Sequence, residues 1–239
     1  FGKNAAPDGT PEEQLEAGKK VGQRFRSFVP MLGITPETAP GVEKAYEQFL
    51  ADFSKHLNGL PYLLGTRASY ADFALIGPLY AHQYRDKNTG EHMKRTAPKV
   101  ADYVERVIAG EGQTGDLVPN DDIPKTLLPI LKVALDEHMP VLAATIERFN
   151  EWALTAEPKE ELPRGLGMIP FATGGHAGMI AARTFSLLRL QDALDVYQLM
   201  MPSDKKRADA MLSSLDAESF KTLRIDPRLA RRNYRLALA

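Results

Sequence analysis

Residues 61–82 read PYLLGTRASYADFALIGPLYAH, a helix-start signal followed by unbroken apolar positions from Phe73 to Ala81, in a chain of which 26% is charged. Ser69 and Asp72 stand three apart. A Ser at the N-cap accepts from the backbone N–H of the third helical residue, and an acidic side chain at that third position reaches back to the N–H of the Ser. The spacing therefore predicts a capping box that opens a helix. Because the residues after it are apolar on every side, it also predicts a central helix surrounded by others. A buried helix start cannot use water for its free donors, so the cap becomes a folding requirement of ~0.5–2 kcal/mol. Ser69 and Asp72 read as structural capping residues rather than as a nucleophile and its acid. Gly77-Pro78 predicts a kink in the interior.

The segments on either side repeat the helical period. From Val42 to Leu57, apolar residues fall at 42, 46, 49, 50, 53 and 57, while Glu43, Lys44, Glu47, Asp52 and Lys55 lie largely off that stripe. Upstream, Thr10 as N-cap, Pro11 at the first helical position and Glu12 and Glu13 in the first turn predict a helix over about 11–30. Downstream, PKVADYVERVIAG (98–110) is a short helix ending at Gly110, and EGQTGDLVPNDD (111–122) is a linker by its Gly and polar content. Residues 123–155 are helical in period but carry Pro129 and Pro140, which predict two or three pieces. A second polar loop, TAEPKEELPRGLG (155–167), precedes a long apolar-patterned stretch from Ala177 to Met201, and SDKKRADAMLSSL (203–215) predicts a last helix. The fold class is all-α, a helical bundle, with one short hairpin allowed around MIPFATGGHAG (168–178).

Composition sets the outer bounds. At 239 residues and 44% hydrophobic, the chain carries a substantial core. A net charge of −1 and a pI near 6.6 give no global attraction to nucleic acid or to an anionic membrane, so neither is an expected partner. No apolar run approaches the ~20 residues of a membrane span. The absence of cysteine excludes disulfides, thiolate metal sites and a cysteine nucleophile, and it fits a cytoplasmic setting. The chain begins at Phe1 rather than Met and without a secretory profile, which predicts that it starts inside a longer one.

On the motif at 61–82, the chain resembles the C-terminal helical domain of glutathione transferases, in which a Tyr-Leu-Leu-Gly segment leads into a Ser-x-x-Asp capping box on the core helix. The resemblance extends over Pro11 to Gly110, and beyond that to a larger bacterial type with a helical extension. It implies a domain of residues 1–110 with an extension over 111–239. The family carries a bulky apolar residue before the capping Ser, whereas this sequence has Ala68 opposite Phe73. In that family a thioredoxin-like domain comes first, binds glutathione and activates its thiol. No segment before Ser69 offers its alternating strands, so the glutathione-binding half is expected to be missing. The resemblance implies that the second substrate, a hydrophobic electrophile, is met by Arg24, Phe25, Phe28 and Met31 on the first helix and by Tyr80 and Tyr84 at the far end of the core helix. Ordinary core packing is the alternative role for these aromatics. Glutathione is implied as co-substrate only with the missing domain, together with a homodimer. The same fold also admits a non-catalytic module for assembly or apolar ligand binding.

Three further features invite chemistry. The Gly-rich turn ATGGHAGMIAARTF (172–185) places backbone donors ahead of Arg183, either as an anion site or simply as a tight turn. His82, His92, His138 and His176 lack metal-ligand spacing, and no metal is expected. The tail DPRLARRNYRLALA (226–239) sets Arg228, Arg231, Arg232 and Arg235 at helical spacing, a basic face expected to be solvated.

Overall fold

The computed structural model describes residues 1–157 and 160–239, so Pro158 and Lys159 of the second polar loop lie outside the described residues. In chain order the helices are α1 (Gly2–Ala5), α2 (Pro11–Phe28), α3 (Ala39–His56), α4 (Tyr70–Pro78), α5 (Lys87–Thr96), α6 (Pro98–Ile108), α7 (Leu128–Ala153), α8 (Phe185–Leu199) and α9 (Pro202–Ser214). Four strands, β1 (Gly165–Thr173), β2 (His176–Arg183), β3 (Leu229–Arg232) and β4 (Arg235–Leu238), form two separate antiparallel hairpins, β1-β2 and β3-β4. The fold is mostly helical, but the two hairpins correct the all-α expectation. The chain makes two compact units, one of Phe1–Val42, Glu137–Ala210 and Glu218–Ala239, the other of Glu43–Asp136 and Met211–Ala217.

The Glu43–Asp136 unit is built on α6. Its residues Val100, Tyr103, Val104 and Val107 recur at helical spacing and are all buried, each contributing about 1.5–3 kcal/mol if fully removed from water. They pack with Leu50 and Phe53 of α3, Tyr62, Leu79 and Met93. The Phe53 ring meets Tyr103 edge-on at 4.9 Å, a geometry that aligns ring edge with ring face. His56 is buried here and bridges two loops, its Nδ1 2.7 Å from the Thr126 hydroxyl and its Nε2 3.0 Å from the Tyr62 carbonyl. Helix α4 departs from its expected surroundings. Asp72 and Leu79 are buried and Leu75 and Ile76 half-buried, but Tyr70 and Phe73 are 87% and 57% exposed. The helix packs on α6 and on the turn that follows it, while its Tyr70 and Phe73 face out. At Pro78, where no N–H is available, the α-helix gives way to a π-helical stretch, Leu79–Tyr84, in which the Arg85 N–H bonds the Tyr80 carbonyl. The expected kink is this change of winding.

The core of the other unit gathers Leu142, Ile146 and Phe149 of α7, Leu187, Leu188, Leu190 and Leu194 of α8, and Leu229, Leu236 and Leu238 of the second hairpin. The buried Gln191 amide ties that hairpin in, accepting from the Leu229 N–H at 2.9 Å and donating to its carbonyl at 3.0 Å. Helix α7 is a single piece of 26 residues rather than two or three. Pro129 falls in its first turn, where a missing donor costs nothing, and only Pro140 lies in the interior. The apolar stretch 177–201 divides into β2 and α8, because Gly174 and Gly175, at φ 56° and 88°, close a two-residue hairpin, where the sequence allowed one, that takes residues 176–183 as its second strand. The basic tail is also a hairpin. Asn233 and Tyr234 adopt φ 46° and 61°, and the consecutive Leu236, Ala237 and Leu238 all bury.

Candidate functional site

The capping motif opens α4 with more partners than its spacing announced. Asp72 is fully buried, and its Oδ2 accepts from the Ser69 N–H and from the Ser69 hydroxyl, each at 2.7 Å. Its Oδ1 accepts from the Leu63 N–H at 2.9 Å and from the Tyr103 hydroxyl at 3.0 Å. The Ser69 hydroxyl thus donates to the carboxylate, and the Asp half of the box holds the helix start. One carboxylate joins the Tyr62–Gly65 turn, the start of α4 and the centre of α6. Burial in this cluster, and next the charge of Asp72, push the Tyr103 phenol far above the ordinary tyrosine range, so that it stays a donor. With four donors on its carboxylate and no exposure, Asp72 is committed to holding the helix start, and half-buried Ser69 donates to it.

The end of the core helix is more open. The Tyr80 and Tyr84 rings stack with centroids 6.3 Å apart. Arg85 lies 5.7 Å from the centre of the Tyr80 ring, and the Lys94 ammonium 4.3 Å from that of Tyr84. The Tyr84 hydroxyl donates to Glu105, and this bond raises its pKa, with burial adding to the shift. The pair is therefore a half-exposed aromatic surface edged by cations, able to receive a planar or electron-poor ring. Its hydroxyl is already committed and does not serve as a free acid.

The first-helix candidates belong to the other unit. Phe25, Phe28 and Met31 are exposed at 57%, 46% and 49%, and Arg24 beside them is exposed as well. Ordinary core, the alternative reading, is excluded for these three apolar side chains. Phe25 touches the Phe1 ring at 5.7 Å, and Met31 sits in a 3-10 turn, Pro30–Leu32, which ends the first helix at Phe28 rather than at about 30.

The Gly-rich turn has two of its donors taken. Glu137 of α7 accepts from the Thr173 hydroxyl at 2.7 Å and from the Gly174 N–H at 2.8 Å, while the His176 ring Nδ1 lies 2.9 Å from the Glu37 carbonyl. A carboxylate already fills the place that an anion would need. Nothing in the sequence announced Glu137, which lies 36 and 37 residues from its partners. Among the described residues no group of three or more His, Asp or Glu could hold a metal ion, and no helix is long and apolar enough to cross a membrane. In the tail, Arg228 makes two bonds to Asp195, at 2.9 and 2.5 Å, and Arg231 lies 5.5 Å from the Tyr234 ring centre.

Residues 35–114 match the family model described as the glutathione S-transferase, C-terminal domain. That stretch, a third of the chain, is similar to a glutathione S-transferase C-terminal domain. It holds α3 to α6, the buried Asp72 and the Tyr80–Tyr84 pair; α2, with Arg24 and Phe25, precedes it. No curated protein and no solved structure matches the chain.

Proposed function

We propose that this chain forms the electrophile-binding side of a glutathione S-transferase-like protein. The observation that carries the reading is the family match over 35–114, centred on a buried Asp72 and ending its core helix in an accessible, cation-edged aromatic pair. Glutathione is the co-substrate of the whole protein and is held by a separate thioredoxin-like domain. Among the described residues the strands form only two-stranded hairpins, which supply no such scaffold. The reaction is attack of the glutathione thiolate, reactive at neutral pH when its pKa is depressed, on an electrophilic carbon. Two separate surfaces offer apolar contacts, Phe25, Phe28 and Met31 with Arg24 in one unit and Tyr80 and Tyr84 in the other. The exposure of so much apolar surface on α2 favours a second reading, a non-catalytic assembly module.

A fluorescence titration with anilinonaphthalene sulfonate, an apolar aromatic anion, tests the first reading. The chain is expected to bind it weakly and saturably, with Tyr80→Ser or Phe28→Ser reducing affinity about tenfold, the worth of ~1.4 kcal/mol of lost contact. Absence of binding, or binding indifferent to both variants, removes the support for an electrophile surface.

A further inference from the structure

Folding alone does not account for the turn that closes β3 onto β4. Asn233 and Tyr234 both take positive φ, 46° and 61°, as the two central residues of a type I′ turn do. Asn is at home there, but the second position favours glycine, and a bulky side chain in left-handed backbone is strained. The Tyr234 ring gains little from the body of the protein in return, being 89% exposed. Beside the turn, Arg232 and Arg235 stand directly opposite each other in the ladder, so two like charges share one face of the hairpin, which is destabilising. Among the described residues neither of them, nor Arg231, makes an ion pair, whereas Arg228 at the foot of the hairpin is held by Asp195. Arg231 lies over the Tyr234 ring, 5.5 Å from its centre, and leaves the other ring face open. A helix would spread these arginines along its length; the hairpin gathers three of them around one aromatic ring.

We propose that the tip of this hairpin, Arg231 to Arg235, binds single-stranded nucleic acid, with an unpaired base stacked on Tyr234 and the flanking phosphates on Arg231, Arg232 and Arg235. Phosphate oxygens set between Arg232 and Arg235 relieve the repulsion that the ladder imposes, and the Arg231 guanidinium steadies the ring for stacking. The open ring face favours a nucleic acid over an acidic peptide, which would engage the arginines and leave the ring bare. A single strand is favoured over a duplex because only unpaired bases have a face free to stack. With a net charge of −1 the chain gives no attraction at a distance, so binding is local, weak and sensitive to salt. The inference stands apart from the thiol-transfer reading and needs neither glutathione nor an electrophile.

Fluorescence anisotropy of a labelled oligothymidylate of about twelve nucleotides, titrated with the full chain at low salt, tests it. Saturable binding with a Kd of roughly 10–100 μM is expected, and log K should fall against log salt with a slope of about −2, the value for three phosphates on a single strand. Tyr234→Gly separates binding from folding. Asn-Gly is the preferred pair for this turn, so the variant is expected to keep or raise the thermal midpoint while weakening binding about tenfold. Arg232→Gln and Arg235→Gln are each expected to flatten the salt slope by about 0.7. A duplex of the same length is expected to bind at least about tenfold more weakly than the single strand. No saturable binding, an affinity indifferent to Tyr234→Gly, or equal affinity for the duplex would each overturn the proposal. Polyglutamate bound as tightly as the oligonucleotide would overturn it in favour of an acidic protein partner.

Discussion

Asp72 concentrates the stability of its unit in one side chain. Capping alone is worth ~0.5–2 kcal/mol, but truncating Asp72 also leaves the half-buried Leu63 N–H without its partner and strands the buried Tyr103 hydroxyl, at about 1–3 kcal/mol for a buried unpaired donor. Asp72→Ala is therefore expected to lower unfolding free energy by more than about 3 kcal/mol. An unchanged denaturant midpoint would show that Asp72 does not hold α4. Tyr103 adds a pH dependence. Its folded pKa is raised, by burial first and by Asp72 next, so its stabilisation is fully present below the unfolded value of ~10 and is lost as pH climbs above it. Tyr103→Phe is expected to be less stable at pH 7 by about 0.5–1.5 kcal/mol and to lose less stability between pH 9 and roughly 11 than the parent does. Equal alkaline slopes in urea titrations would contradict this. The Ser-x-x-Asp spacing was legible because a cap is local. Tyr103, 31 residues away, carried no signal in the sequence.

At the scale of elements, close backbone approach reverses the usual ranking of glycine and alanine. In α2, Gly22 faces open space, and Gly22→Ala is expected to stabilise by about 0.5–1 kcal/mol. In α3, a Cβ on Gly41 would sit 2.3 Å from the Thr173 carbonyl oxygen at the turn of the first hairpin. Gly41→Ala is expected to destabilise by ~1–3 kcal/mol despite the better helix former. Opposite signs in thermal melts check the pair, and two stabilised variants would place the hairpin turn elsewhere. The starts of α2 and α4 and the stripe of α3 could be read because cap and period lie within a few neighbouring residues. The tail could not, since Arg228, Arg231, Arg232 and Arg235 satisfy a helical spacing as readily as a hairpin. Asn233 and Tyr234 in left-handed backbone, and the burial of three consecutive residues after Arg235, decide for strands. The exposure of Phe73 was equally hidden, because apolar composition states what a helix can bury against, not how many neighbours it finds.

Among the described residues, the proposed function draws on the cation-edged tyrosines that end the core helix and on the exposed apolar residues of α2. In the Gly-rich turn of the first hairpin, the Gly174 N–H is already taken by Glu137. The proposed function gives this chain the electrophile side of thiol-transfer chemistry. Isothermal titration calorimetry of reduced glutathione into the 239-residue chain tests it most directly. Only heats of dilution are expected up to millimolar ligand, and a saturable isotherm with one site per chain would contradict the proposed function.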